Sequence, residues 1–252
     1  MCEFFTTHMQ RILSVPFSIL FYALFGLLLV VFHPIQWLCF NVFGYQAHKK
    51  SVDILNSGLV RSMHALGTTF DVQHRERIPH GVPIIFVANH QSMYDIPPII
   101  WFMRKFHPKF VSKKELGKGI PSVSYNLRHG GSVLIDRKDP KQALTAIKGM
   151  AEYIQKHNRA TVIFPEGTRS KTGVPKKFSE NGLKMLCKFA PNAYIVPLTI
   201  NNSWRVERFG KFPLGLGNRL TFTVQEPFAI KGIPFEEVME RTEREVIKGI
   251  KY

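Results

Sequence analysis

A run without formal charge near the front of the chain limits its fold more than any other feature. Between Ile12 and Gln46 there is no Asp, Glu, Lys or Arg, and Val15–Phe32 (VPFSILFYALFGLLLVVF) is apolar almost throughout. So many consecutive large apolar residues do not suit the core helix of a water-soluble domain. Eighteen helical residues reach about 27 Å, just short of a hydrocarbon core of about 30 Å. Pro34 then interrupts the pattern, and Ile35–Tyr45 (IQWLCFNVFGY) adds a shorter, aromatic-rich segment. Two arrangements fit: a single span, or a helical hairpin lying in one leaflet. A cleaved signal peptide fits poorly, because the run is long and no small-residue cleavage site follows it.

Charge narrows the partners. The formal net charge of +16 and pI near 9.9 call for an anionic partner, either nucleic acid or a membrane with its phosphorylated lipids. The apolar front favours membrane phospholipids, and no recognised nucleic-acid motif is present, so no nucleic-acid partner is expected. Lys49, Lys50 and Arg61 follow the apolar region, whereas Arg11, partly offset by Glu3, precedes it. By the positive-inside bias this places the remainder at the cytoplasmic face of the cytoplasmic (inner) membrane. The three cysteines, Cys2, Cys39 and Cys187, are few, unclustered and odd in number. They imply neither a disulfide framework nor a zinc site and are expected to be reduced.

After Lys50, short apolar runs alternate with amphipathic ones, the pattern of an α/β sheet covered by helices. Strands are expected at 84–88, 109–111, 133–135, 161–164, 194–199 and 220–224, and helices at 52–66, 97–105, 140–156, 182–189 and 235–248. Asp139 before Pro140 reads as a helix cap, with Leu144, Ile147, Ala151 and Ile154 on one face of the helix that follows. The last helix places Phe235, Val238, Met239, Thr242 and Val246 on one stripe. No repeat or linker divides residues 51–252. The expected organisation is a membrane-associating helical segment, 1–50, followed by a single α/β domain, 51–252, with a mixed, largely parallel sheet flanked by helices.

Four stretches carry chemistry. NHQSMYD, Asn89 to Asp95, puts a histidine and an aspartate five positions apart just after PIIFVA. An imidazole oriented by a carboxylate is a general base. In a regular helix the two side chains would sit about 140° apart, but if a strand ends at Ala88 and a helix begins near Ile96, Asp95 folds back onto the ring. The alternative is structural: Asp95 before Ile96-Pro97-Pro98 is also a good helix cap. FPEGTRS, Phe164 to Ser170, suits an anion site, with Gly167 allowing close approach, Thr168 in the same turn, and Arg169 offering a fork to phosphate oxygens. Glu166 would accept from hydroxyls or hold the arginine. The competing reading is an ordinary turn with a surface ion pair. GGSVLIDR ends in Arg137, and Lys113 and Lys114 follow FVS; one of these two lysines is expected to be merely solvated. If the strands are parallel, all of these lie at one sheet edge, where ligand sites of open α/β sheets gather. There is no Gly-x-Ser-x-Gly, phosphate loop, Gly-x-Gly-x-x-Gly or metal-ligand cluster. Ser92, two residues from His90, is taken as structural, so His90 would activate a hydroxyl brought in from outside.

NHQSMYD, GSVLIDR, FPEGTRS and IVPLTI, in this order and spacing over roughly residues 80–200, resemble the four motif blocks of the glycerolipid acyltransferase family. The nearest subgroup is the bacterial 1-acylglycerol-3-phosphate acyltransferases. The resemblance implies that His90, oriented by Asp95, deprotonates the free hydroxyl of lysophosphatidic acid, which attacks an acyl thioester directly, without an acyl-enzyme, to give phosphatidic acid. It assigns Arg137 and the Glu166–Arg169 block to the acceptor's glycerol and phosphate, and Val196-Pro197 to the donor side. No cofactor is implied; acyl carrier protein or coenzyme A carries the acyl group as a substrate. Two departures stand out: Phe178-Ser-Glu-Asn-Gly182 lacks a lysine that relatives carry, leaving Lys176 or Lys177 to replace it, and Leu134 stands where many relatives have phenylalanine. Rival readings are a different lysolipid acceptor, such as a lysophospholipid or lyso-ornithine lipid, and a non-catalytic lipid-binding membrane scaffold.

Overall fold

The computed structural model describes residues 2–251, with side chains from residue 8 onward. A long helix, α1 (Cys2–Ser62), contains both Pro16 and Pro34 and is broken only at Gly44. Pro34 was expected to interrupt the helix and does not. A proline removes one helical hydrogen bond, but here the arm is held by side contacts to the domain on both sides of it, at Leu29 and Asn41. The bend falls at Gly44, whose φ of 76° and ψ of −170° suit only a residue without Cβ. It folds the helix on itself, so that Leu55 and Leu59 of the second arm share a cluster with Leu29 and Phe25 of the first. Helix then continues unbroken through residue 50 to Ser62.

The strands are β1 (Thr69–Gln73), β2 (Ile84–Ala88), β3 (Lys109–Lys113), β4 (Val133–Ile135), β5 (Ala160–Ile163), β6 (Tyr194–Asn201), β7 (Arg219–Val224) and β8 (Phe228–Ala229). Between them lie α2 (Ile96–Phe102), α3 (Val123–His129), α4 (Pro140–His157) and α5 (Glu180–Phe189), and α6 (Phe235–Lys248) closes the chain. The sheet order is β1-β7-β6-β2-β5-β3-β4, with β8 also on β6. From β6 to β4 every pairing is parallel; β7 and β8 run antiparallel to β6, and β1 is parallel to β7. This is the mixed, largely parallel sheet the pattern implied.

Strand β2 is buried along its whole length, as expected for a strand covered on both faces. Ile84, Phe86 and Ala88 point into a core with α2 and the second arm of α1, and Ile85 and Val87 into one with α4, α5 and α6. Asp139 caps α4 by accepting from the Gln142 N–H at 3.0 Å. Two strands and one helix were not expected: β1, β8 and α3. The start of α3 is held by distant partners, Ser122 Oγ donating to the Leu29 carbonyl and Ser122 N to His33 Nδ1. No local signal marks it. Cys39 and Cys187 are free thiols; the side chain of Cys2 lies outside the described residues.

Two predictions follow from backbone and burial. Gly44→Ala should destabilise the chain by about 1–3 kcal/mol, read as a lower thermal midpoint in detergent; no loss would contradict a bend that depends on glycine. Burial pushes His48 and His107 down to about 4 from 6.5. Between pH 6.5 and 4 the unfolded chain therefore binds more protons, so their contribution is intact above this window and lost as pH falls through it. The midpoint should drop across that range, and drop less in His48→Leu.

Candidate active site

The His–Asp pair forms because the chain is not helical where it carries them. Strand β2 ends at Ala88, Met93–Asp95 makes one 3₁₀ turn, and α2 starts at Ile96. Ser92 caps that turn, its Oγ accepting from Tyr94 N at 3.3 Å, while Asp95 Oδ2 reaches back to accept from Ser92 N at 3.0 Å. This reciprocal capping fixes the aspartate. The same oxygen accepts from Gln91 N at 2.8 Å and meets His90 Nδ1 at 2.8 Å. Asp95 is fully buried, whereas the His90 side chain retains 17 % of its exposure. An ionised carboxylate only accepts, so the uncharged imidazole carries its proton on Nδ1 and presents a bare Nε2. The cap of α2 that the structural alternative gave to Asp95 is not made; its side chain serves the preceding turn instead.

The second motif is stitched to the first through the backbone of His90. Glu166 Oε1 accepts from His90 N at 2.8 Å, and Ser170 N donates to the His90 carbonyl at 2.8 Å. Glu166 Oε2 accepts from Lys176 N at 2.8 Å. Glu166 is buried, and burial raises its pKa against the lowering effect of these backbone donors. It was expected to face hydroxyls or to hold Arg169; the arginine turns instead to Glu207, Nη1 to Oε2 at 3.4 Å. The ring of Phe164 stacks on His90 with centroids 4.1 Å apart and fixes its plane. Gly167, at φ 66°, turns the loop outward so that Thr168 and Arg169 are exposed.

Arg137, Lys113 and Lys114 share this edge because β2, β5, β3 and β4 are parallel. Strands lie about 4.8 Å apart, so β4, three strands from β2, carries the turn with Arg137 about 14 Å from the His90 strand. Arg169 is adjacent, Arg137 is not. Lys114 pairs with Asp136 at 2.6 Å, a hydrogen bond that raises the lysine and lowers the aspartate, so it is engaged rather than merely solvated. Lys113 is exposed at the end of β3.

Sequence reasoning missed Glu207. It lies in the short 3₁₀ turn Ser203–Glu207 after β6 and takes a 2.6 Å hydrogen bond from Ser92 Oγ besides its contact with Arg169. Nothing local marks a glutamate in SWRVERF as part of a site. Ser92, expected to be structural, is committed to these bonds. Glu166→Ala would leave the His90 and Lys176 N–H groups unpaired, at about 1–3 kcal/mol each. It should therefore lower the thermal midpoint as well as activity; an unchanged midpoint would contradict this role.

A family model described as Acyltransferase matches residues 69–201. A Helicobacter pylori protein named 1-acyl-sn-glycerol-3-phosphate acyltransferase is 34% identical over 172 residues, covering 65% of this chain and 68% of its own. A Saccharomyces cerevisiae protein of the same name is 28% identical over 172 residues, 64% of this chain and 52% of its own. In fold, the chain is similar to the crystal structure of the Thermotoga maritima 1-acyl-sn-glycerophosphate (LPA) acyltransferase PlsC. The TM-score is 0.77 at 24% identity, covering 96% of this chain and 95% of that one. With its motifs inside the matched region, the chain belongs to the acyltransferase family.

Proposed function

We propose that the chain transfers a fatty acyl group from a thioester donor to the free hydroxyl of 1-acylglycerol-3-phosphate, giving phosphatidic acid. The observation that carries this is His90 itself: Nδ1 is held by a buried carboxylate, Nε2 has no hydrogen-bond partner among the described residues, and its backbone is bonded on both sides to the loop that presents Arg169. The similar proteins are named for this activity.

Nε2 accepts the proton of the acceptor hydroxyl as that oxygen attacks the thioester carbonyl. The tetrahedral intermediate collapses with cleavage of the C–S bond, and the imidazolium returns its proton to the departing thiolate. Direct transfer suits a site in which Ser92 Oγ, two residues from His90, is already donating to Glu207. Arg169 keeps one long contact to Glu207 and 44 % of its side-chain exposure, leaving donors for the acceptor phosphate. Arg137 and Lys113 extend the cationic edge toward β4. The donor is an acyl thioester of acyl carrier protein or coenzyme A.

The apolar arm of α1 supports a reading in which this chemistry takes place at lipid. It is long and apolar enough to cross a membrane, yet it is fastened along one side. Gln10 meets Arg208, Ser18 Oγ accepts from Leu214 N, Phe21 and Phe25 pack on Tyr94 inside the histidine motif, and Asn41 donates to the Tyr125 hydroxyl. From Gln10 to Asn41 is about 46 Å of helix, more than the hydrocarbon thickness. The opposite side exposes Leu13, Phe17, Leu20, Leu24, Leu27 and Val31. A helix bound to a basic domain over that distance lies in one leaflet at the interface.

Purified protein in detergent with labelled lysophosphatidic acid and each donor type should form phosphatidic acid. His90→Ala should lower the rate at least about a hundredfold with an unchanged thermal midpoint. Activity that survives this substitution would overturn the mechanism. For the membrane placement, a Trp37→Phe/Trp101→Phe/Trp204→Phe chain with Leu24→Trp carries a single tryptophan midway along the exposed face of the apolar run. In vesicles its fluorescence should be quenched by lipids brominated near the headgroup more than by those brominated at the chain ends; the reverse would indicate a span.

A further inference from the structure

At the sheet edge away from His90, where β3 and β5 begin, basic groups from separate elements converge on a small cavity. Its lining includes His48, Lys49 and Asp53 from the second arm of α1, His107 from the turn before β3, and Lys109 at the first position of that strand. Lys109 pairs in register with Thr161, and Thr161 with Ile85. Five residues of extended chain from Ile85 to His90, with two strand spacings across the sheet, put Lys109 about 19 Å from the general base.

Three observations mark this cavity as incomplete. His48 is wholly buried, and neither ring nitrogen has a hydrogen-bond partner among the described residues. Lys109 is 6% exposed, and its ammonium has no hydrogen bond or carboxylate partner among the described residues, only the face of Tyr45 at 5.1 Å. Arg159 lies over the same ring at 4.5 Å. The carboxylate at the cavity, Asp53, is already engaged by Lys49, which leaves Lys109 and the neighbouring Arg159 without a carboxylate partner among the described residues. Burying a lysine without a counter-charge is costly. Burial, then Arg159 and Lys49, pushes Lys109 down to about 7, and burial, then Lys109 and His129, pushes His48 down. A bound anion would relieve both.

The enclosed space is about 20 Å³, room for one water or for one oxygen of a larger group seated at the mouth. The nearby arm of α1 exposes Trp37, Leu38, Val42 and Phe43, the last two at 61% and 66%, immediately before the Gly44 bend and Tyr45. An anion arriving here has apolar surface beside it on the side assigned to lipid.

We propose that this cavity binds a phosphoryl group through Lys109 and His48, and that the group is the headgroup of an anionic lipid. The phosphoryl site stands independently of the acyl-transfer reading; only its lipid source rests on the placement of α1 at the membrane.

The test uses the full chain in nonionic detergent carrying Arg137→Ala and Arg169→Ala, which removes phosphate capture at the proposed active site. The thermal midpoint is followed against inorganic phosphate, and in micelles doped with phosphatidic acid or with diacylglycerol, which differ only in the phosphoryl group. Phosphatidic acid should raise the midpoint and diacylglycerol should not. Lys109→Met, and independently His48→Leu, should require at least about tenfold more phosphatidic acid for the same rise, the loss of one charge-assisted contact. Without ligand both variants should melt no lower than their parent, because each removes an unpaired buried polar group. Variants that melt lower yet keep the full rise would assign these residues a structural role and overturn the site, as would the absence of any Lys109-dependent rise with either phosphate source. A rise no larger with phosphatidic acid than with inorganic phosphate would keep the site and overturn its lipid source. Acyl transfer plays no part in this readout, so failure of the catalytic reading leaves it intact.

Discussion

One carboxylate oxygen holds the site together. Asp95 Oδ2 lies in a fully buried residue and takes the N–H groups of Gln91 and Ser92 as well as His90 Nδ1. Hydrogen bonds to a charged acceptor contribute about 1.5–3 kcal/mol each, and these three fix both the turn and the ring. The turn ends β2 and starts α2, so the same oxygen belongs to the fold and to the chemistry. Removing it would leave three donors pointing at nothing.

Around that oxygen the parallel sheet does the gathering. Because β2, β5, β3 and β4 point the same way, their exits bring His90, Arg169, Lys113 and Arg137 to one edge at increasing distance. Glu166 then locks the two central exits together by accepting from His90 N of the first motif and from Lys176 N beyond its own. Above them, Phe21 and Phe25 of α1 cover Tyr94, so the apolar helix and the base are joined through the motif itself. In the proposed reaction this contact brings a lipid acceptor to Nε2 without requiring it to leave the interface.

Most of the central architecture was legible in the residues. Strand 84–88 lies where its apolar run places it, because burial on both faces writes a continuous apolar run; strand 133–135, half-buried at the sheet edge, and the amphipathic helix 235–248 also lie where the hydrophobic pattern places them. The fold-back of Asp95 also followed from simple geometry, since a helix would have separated it from His90. What was hidden depends on distant partners. Strand β1 is half-exposed and paired with β7; α3 is started by α1; Pro34 is tolerated because the helix is braced from outside. Glu207 and the role of Glu166 were equally hidden, because which group a carboxylate meets across the fold is not written in its neighbours. Arg137 was grouped with Arg169 on motif order, and the strand order sets it three positions away from β2.

The tautomer of residue 90 is the most direct test of whether Asp95 prepares a base. Nitrogen NMR of histidine-labelled protein in detergent, with His90 assigned by its loss in His90→Ala, reads which ring nitrogen carries the proton when the imidazole is uncharged. The expected result is a protonated Nδ1 and a bare Nε2. A ring protonated on Nε2 would mean that the carboxylate does not orient it, and the proton acceptor of the proposed reaction would have to be sought elsewhere.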